Sequence, residues 1–288
     1  MKAKDNVKQI DTLVEDIYSL LDTGTKSPNK EALFGMASDM MEAVKKQLWF
    51  STSDRKPTLR MSNIGKPCVR SLWYDINGDE EAEGFSPQTR IKFLMGDLVE
   101  ALILYLAKEA GHDVTDQQKQ IEIAGIKGHI DSRIDGKLVD VKSTSAYGMR
   151  KFKNGTLPDD DPFGYIDQIS GYSNALGEDS GTFLAFDKSS GELATYTHNE
   201  LSNTEDRIAY LKEEMAKAEA PARPFKPSYD KTYKRDKLGV NCSYCSHKTT
   251  CWSDIGLDRK FRSGRPVFLL KHGNGPVPKK ARVNAQPF

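Results

Sequence analysis

Hydrophobic positions in the first fifty residues recur at intervals of three and four, which is the period of an amphipathic helix. The first such stretch, residues 7–21, places on one face Ile10, Leu13, Val14, Ile17, Leu20 and Leu21. The second, residues 29–49, presents Leu33, Met36, Met40, Met41, Val44 and Leu48. We predict a helical hairpin that forms an N-terminal extension over residues 1–55, and we interpret its methionine-rich stripe as a packing surface.

The pattern changes further along the chain to short strands that follow one long apolar helix. We predict that helix at residues 88–110, where Gly111 ends it. Runs of alternating or apolar residues then predict strands at residues 119–124, 127–134, 137–143, 181–187 and 192–197. The Asp135-Gly136 pair is typical of a tight hairpin turn.

The segments that connect and follow these strands complete the fold prediction. Residues 144–160 are predicted to form a loop. Asp161 as N-cap and Pro162 at the first helical position predict a helix that ends near Gly177, and a further amphipathic helix is expected at residues 200–219. This order of elements indicates an α/β fold with a mixed sheet flanked by helices, rather than a regular alternation of strand and helix.

Length and composition are consistent with that fold class. The chain has 288 residues and 38% hydrophobic residues, enough for one sizeable domain with appendages. Its 42 basic and 41 acidic residues give a net charge of +1, so the overall charge does not indicate a nucleic-acid-binding protein.

The charge distribution is more informative, because residues 259–288 contain no acidic residue and eight basic ones. We therefore predict a basic C-terminal tail over residues 258–288, able to follow a phosphate backbone. The alternative is a solvated, disordered terminus.

No apolar run approaches the roughly 20 residues that a membrane helix needs. The N-terminus alternates charged and apolar residues and lacks the apolar core of a signal peptide. Four cysteines in such a chain suit a reducing compartment, where thiols bind metals more often than they form disulfides. We expect a cytoplasmic protein without membrane contact.

Three of the four cysteines lie within ten residues, at positions Cys242, Cys245 and Cys251, and the fourth is Cys68. A C-x2-C-x5-C cluster brings thiolates close enough to share a metal ion or an iron–sulfur cluster, and an outlying cysteine can complete a set of four ligands.

A second candidate site lies on the two strands that meet at Asp135-Gly136. Alternation places Asp140 and Lys142 on one face of their strand, and the hairpin can bring Asp131 beside them. Two carboxylates and a lysine at such range suit a phosphodiesterase that uses Mg²⁺ or Mn²⁺. The alternative is an ordinary salt bridge between Asp140 and Lys142.

Two helices add candidates to this acidic site. Glu100 is set among the apolar residues of the predicted helix 88–110, and a buried carboxylate needs a partner such as a metal. A charge at the edge of the core is the alternative. Gln168 and Tyr172 are four residues apart and therefore share a helix face. A polar helix edge would explain this pair equally well.

Together these motifs resemble the PD-(D/E)-x-K nuclease superfamily, in particular its RecB-like branch with an iron–sulfur cluster, which includes AddB and the CRISPR-associated RecB-like exonuclease. The family pattern G-x-x-D, D/E-x-K and Q-x-x-x-Y matches Gly128 to Asp131, Asp140 to Lys142, and Gln168 to Tyr172. One cysteine before the core, in Cys68-Val-Arg70 with Trp73-Tyr74, and three after it also match. The resemblance covers roughly residues 60–255 and implies a restriction-endonuclease-like fold.

The resemblance implies roles for individual residues. Glu100, Asp131, Asp140 and the Val141 carbonyl would bind the metal, although many relatives have a histidine where this chain has Glu100. Lys142 would be the catalytic lysine, while Gln168 and Tyr172 would position the DNA strand or the attacking water. Phosphate contacts would come from Ser143 and Thr144, and backbone contacts from Arg70, Arg133, Arg150, Lys151 and Lys153. Bases could stack on Trp73, Tyr74 and Tyr147, although core packing is the expected fate of the first two.

The resemblance also implies a structural 4Fe–4S cluster on the four cysteines, which would join the two ends of a core over residues 56–257 as a cysteine-cluster cap. Zinc is the alternative, with His129 and His247 as further donors. The expected activity is that of a metal-dependent DNA exonuclease acting on single strands or DNA ends, in recombination or repair. A structure-specific endonuclease and an inactive DNA-binding or assembly module are the alternatives. The N-terminal helices could contact a protein partner or a second copy.

Overall fold

The structure is a computed structural model that describes residues 8–49, 57–78, 86–263 and 265–271. After a 3₁₀ turn at Ile10–Thr12, its helices are α1 (Leu13–Thr23), α2 (Lys30–Leu48), α3 (Met61–Ile64), α4 (Val69–Asn77), α5 (Pro87–Glu109), α6 (Ala146–Asn154), α7 (Tyr165–Leu176), α8 (Thr204–Met215), α9 (Val240–Ser243) and α10 (Lys248–Cys251). Its strands are β1 (Val114–Thr115), β2 (Gln120–Ile123), β3 (Ile126–His129), β4 (Ser132–Ile134), β5 (Lys137–Thr144), β6 (Gly181–Asp187), β7 (Leu193–His198), β8 (Ser228–Asp230), β9 (Arg235–Lys237), β10 (Leu257–Arg262) and β11 (Arg265–Leu270).

A mixed sheet in the order β1-β4-β5-β6-β7 forms the centre of the molecule. Its middle pair, β5 and β6, is parallel, with Asp140 opposite Phe183, and the other pairs are antiparallel. The predicted α/β class, a mixed sheet flanked by helices, is confirmed. No helix in the described part of the chain has the length and apolar composition that a membrane crossing requires.

The central sheet separates two hydrophobic clusters. On one face, α3, α7 and α8 pack around Leu138 and Phe183. On the other, α1 and α5 pack around Val139, Val141 and Leu184. Because successive residues of a strand point to opposite faces, Asp140 and Lys142 share the face of Leu138 and lie toward α7.

Both predicted N-terminal helices are present, but α1 belongs to the core rather than to an appendage. Its Leu13 and Ile17 are fully buried in the same cluster as Val99 of α5. Helix α2 lies along α5 and buries only Ala32 and Ala43 among its described residues. The domain boundaries predicted at residues 55 and 257 stay predictions.

The strand predicted at residues 127–134 is interrupted. Its first half, β3, pairs with β2 in a separate hairpin, and its second half, β4, joins the central sheet. Between them Ile130 and Asp131 exchange backbone hydrogen bonds with Lys119 and Gln118 instead. The turn prediction is confirmed, since Asp135 and Gly136 both have positive φ, at 50° and 78°.

The loop prediction for residues 144–160 is wrong, because these residues contain α6. Ser145 caps this short helix by accepting from the Gly148 N–H, and Gly155 ends it in the left-handed region. The next helix starts later than predicted, at Tyr165. Asp161 instead stabilises the turn that precedes this helix. The turn ends at Gly164, which has a φ of 76°.

The C-terminal part forms a second, smaller sheet in the order β10-β11-β9-β8. Its hydrophobic cluster contains Leu238, Trp252 and Leu270. Residues 258–262 and 265–270 of the region predicted as a basic tail are therefore strand, and residues 264 and 272–288 lie outside the described part.

Candidate active site and cysteine cluster

The centre of the candidate active site is Asp140 on β5, which is only 1% exposed. Its Oδ1 atom has no hydrogen-bond partner among the described residues. The Lys142 Nζ atom lies 2.6 Å from Oδ2 as an ion pair. Burial lowers the pKa of Lys142, but the charges of Asp140 and Asp131 outweigh burial and raise it above its ordinary value. The lysine is therefore held in its charged form.

Helix α7 continues this array on the same face of the sheet. The Lys142 Nζ atom donates to Gln168 Oε1 at 3.2 Å, and Gln168 Nε2 donates to the Tyr172 hydroxyl at 2.9 Å. Tyr165, which the sequence did not single out, places its ring 4.7 Å from the same ammonium. The structure thus brings the D-x-K and Q-x-x-x-Y motifs into direct contact.

Asp131 reaches the site because β5 runs beyond the end of β4. The β4 ladder ends with Ser132 opposite Val139, so the N–H of Val141 has no partner in that ladder. The Asp131 Oδ2 atom accepts from it at 2.7 Å. Burial, followed by the charges of Asp140 and Glu100, raises the pKa of Asp131 well above its ordinary value.

Glu100 approaches from α5 and is held by a residue that sequence reasoning missed. Gln118 Nε2 donates to Glu100 Oε1 at 2.8 Å. Burial, and next the charge of Asp140, raises the pKa of Glu100 to about 7. The sequence gives little signal for Gln118, because it lies in a polar turn whose course depends on the positive φ of Asp116 and of Gln118 itself.

The chemistry of this donor set fits a cation. Three carboxyl groups, those of Glu100, Asp131 and Asp140, face one ammonium group, and their proximity helps to raise the pKa of Glu100 and of Asp131. A bound cation would favour the ionised form of all three. Each carboxylate is, however, engaged with its own partner. Among the described residues, no three His, Cys, Asp or Glu side chains stand where they could hold one metal ion. Ligation by these residues and the Val141 carbonyl stays a prediction.

Several of the predicted DNA contacts have partners within the protein. Arg133 forms ion pairs with Glu178 and, at 3.4 Å, with Asp116. Arg70 donates to the carbonyls of Ala220 and Pro221 and to the Tyr74 hydroxyl. These contacts give both arginines a structural role.

The remaining candidates lie on or near α6. Lys151 is buried and forms an ion pair with Asp160 at 2.6 Å, while Lys153 pairs with Glu192. Arg150 is exposed and lies 5.7 Å from the ring of Tyr147, itself exposed. Ser143 and Thr144 are half-buried at the end of β5.

The four cysteines line one small cavity between α4 and the segment of α9 and α10, together with Arg70, Tyr74, Lys248 and Trp252 among others. All four are free and half-buried. Burial raises the pKa of the Cys68 thiol to about 11 and that of Cys242 to about 12. Only a strong nearby cation would keep such thiols ionised at neutral pH.

Neither histidine weighed as a zinc donor lines this cavity. His247 is buried, and its Nε2 atom lies 2.8 Å from Asp75 Oδ1. Trp73 and Tyr74, which were considered as base-stacking residues, make contacts within the protein. Trp73 donates to the Lys217 carbonyl, and the Tyr74 ring lies 5.5 Å from that of His247.

No protein-family model matches the chain, and no curated protein matches it. Among solved structures, the chain is similar to SSO0001, with 16% identity and a TM-score of 0.40, over 79% of this chain and 98% of that one. An alkaline exonuclease from Laribacter hongkongensis, LHK-Exo, shows 18% identity and a TM-score of 0.31 over 53% and 85%. The structure of LHK-Exo in complex with dAMP shows 16% identity and a TM-score of 0.36, over 54% of this chain and 87% of that one. At these values the similarity says nothing about activity.

Proposed function

We propose that the protein is a metal-dependent DNA nuclease of the PD-(D/E)-x-K type, acting as an exonuclease on single strands or DNA ends. The observation that carries the proposal is the contiguous array from Asp140 through Lys142 and Gln168 to Tyr172. Glu100 and Asp131 place two further carboxyl groups beside it, each with a raised pKa. An ordinary salt bridge between Asp140 and Lys142 would not need two more acids at a site where Asp140 is already buried.

The residues of the array divide the work of phosphodiester hydrolysis. Mg²⁺ or Mn²⁺, held by Glu100, Asp131 and Asp140, would supply Lewis-acid activation of water and of the scissile phosphate. Lys142 presents a fixed positive charge to the charge that develops on the phosphoryl oxygens. Gln168 orients this ammonium through its carbonyl oxygen, and Tyr172 fixes the Gln168 amide.

The four cysteines are proposed to bind a 4Fe–4S cluster. Support comes from the common cavity that the four thiols line and from the C-x2-C-x5-C spacing of three of them. The role of the cluster would be structural, because phosphodiester hydrolysis needs no electron transfer.

The proposed DNA substrate agrees with an exposed basic surface. Arg150 is exposed on α6, and the β10–β11 hairpin carries Arg259, Lys260 and Arg265 on exposed positions. Such residues contact phosphate irrespective of base sequence.

The test is digestion of end-labelled DNA with Mg²⁺ or Mn²⁺ by the wild type, Lys142→Ala and Asp140→Asn. Loss of a charge aimed at the reacting phosphate lowers the rate by about 10²–10³-fold. The matched control is Lys45→Ala, which breaks an exposed ion pair with Glu42 on α2. Equal rates in all four proteins would contradict the proposal.

Two substrates separate the alternative activities. An exonuclease degrades linear DNA and spares a covalently closed circle, whereas a structure-specific endonuclease opens a circle that carries the preferred structure. An inactive DNA-binding module binds both substrates and cleaves neither.

A further inference from the structure

We propose that Phe163 is a nucleobase-stacking residue that positions the DNA strand beside the catalytic lysine. The inference rests on the proposed function and adds a residue that none of the nuclease motifs contains. Phe163 lies in the turn between α6 and α7, and its side chain is 53% exposed. Large apolar rings exposed to water are common on protein surfaces, so exposure alone does not indicate a binding role. Two features distinguish Phe163: its backbone is firmly held, and its ring lies near the candidate active site.

The backbone that presents this ring is firmly held. Asp161 accepts hydrogen bonds from the N–H groups of Phe163, Gly164 and Ile166, at 3.3, 2.9 and 2.8 Å. Gly164 has a φ of 76°, and a Cβ atom there would lie 1.7 Å from the Gly65 carbonyl oxygen. The turn is therefore pressed against the end of α3, and the exposed ring stands on a rigid support.

Phe163 is connected to the candidate active site through one side chain. Its ring centroid lies 5.6 Å from that of Tyr165, with 32° between the ring planes. The Tyr165 ring in turn lies 4.7 Å from the Lys142 Nζ atom. A base stacked on Phe163 would thus belong to a nucleotide next to the one whose phosphate faces Lys142.

The charges around the turn favour a base over a phosphate as the group bound there. Asp159, Asp160 and Asp161 precede Phe163 and are separated from it only by Pro162. Asp160 is neutralised by Lys151, and Asp161 is occupied by the turn, but Asp159 is exposed. A phosphate would be repelled here, whereas the face of a base carries no charge and stacks on an aromatic ring regardless of sequence.

The test measures binding of a single-stranded oligonucleotide with 2-aminopurine at one position at a time, in EDTA, so that no cleavage occurs. Wild type should quench fluorescence most at one position near the bound end. Phe163→Ala should lose that quenching and weaken binding by between about fivefold and 150-fold, the range of one base stacked on an aromatic ring. Phe163→Tyr should retain both. Phe34→Ala, which removes an even more exposed ring on α2, is the matched control.

An abasic substitution supplies a second readout that a merely structural role would not move. Removal of the base at the quenched position should weaken wild-type binding and leave the affinity of Phe163→Ala unchanged. With metal present, Phe163→Ala should raise KM more than it lowers kcat. Unchanged affinity in Phe163→Ala, or equal sensitivity to abasic sites at every position, would overturn the stacking role while cleavage still depends on Lys142. Absence of DNA binding and cleavage in the wild type would overturn the proposed function together with it.

Discussion

Glu100 carries the most informative single-residue property of the site, a pKa raised to about 7 by burial and by Asp140. The folded protein therefore binds the Glu100 proton more tightly than the unfolded chain does. Between the ordinary value of 4.5 and about 7, the folded state holds more protons, so its stability falls as the pH rises.

Glu100→Gln should remove this pH dependence of stability in the metal-free protein. Between pH 5 and pH 8, in EDTA, the free energy of unfolding of the wild type should fall by up to about 3 kcal/mol more than that of the variant, because each pKa unit corresponds to about 1.4 kcal/mol. Urea unfolding at both pH values measures the difference. Glu213→Gln, on the exposed face of α8, is the control. The same pH dependence in all three proteins would show that Glu100 keeps an ordinary pKa.

Gly128 opens the G-x-x-D motif for a reason of packing. A Cβ atom at this position would lie 2.4 Å from the Met61 Cβ and 3.2 Å from the Tyr172 ring. Gly128→Ala should therefore destabilise the fold by about 1–3 kcal/mol, the usual cost of overpacking. Gly35→Ala on α2 meets no atom within 4 Å and should instead stabilise by up to about 1 kcal/mol. Denaturant midpoints of the two variants should move in opposite directions.

At the level of elements, long periodic segments were predictable and short ones were not. Residues 88–110 and 181–187 became α5 and β6, because their apolar patterns are strong. Gly111, with a φ of 89°, follows the end of α5 as predicted. Helix α6 was missed because it is only nine residues long, so its periodic pattern covers little more than two turns.

The candidate site shows the same division. Its motif residues lie on regular elements, where spacing predicts which side chains share a face. The break at Asp131 depends on backbone hydrogen bonds to Gln118 and Lys119, which come from another segment. Gln118, Tyr165 and Phe163 act through tertiary contacts and leave no periodic signal in the sequence.

Helix α1 gives a prediction at this scale. Leu13→Ala and Ile17→Ala should each cost about 2–5 kcal/mol, since both side chains are fully buried against α5 and the central sheet. Leu21→Ala, at a position 61% exposed, should be close to neutral. Thermal unfolding of the three variants decides whether α1 is part of the core. Equal melting temperatures would indicate that α1 is a detachable extension.

At the scale of the whole molecule, the four cysteines that line one cavity come from two distant parts of the chain, one beside α4 and three before the last two strands. Cys68→Ser and Cys245→Ser, in protein purified without oxygen, should lose bound iron and become sensitive to limited proteolysis. Ser246→Ala should keep its iron, and Asp140→Asn should keep iron while losing cleavage. Metal analysis that finds zinc in the wild type, with no visible absorbance, would contradict the iron–sulfur proposal.

The contacts around α4 also set an order of events during synthesis. Asp75 and its partner His247 are 172 residues apart, and Arg70 and Trp73 bind carbonyls at residues 217–221. A ribosome adding about 5–20 residues per second needs roughly 10–30 s between the two partners. A nascent chain thus carries α4 without these partners until residues 217–247 have been synthesised, so the docking of α4 is a late step of folding.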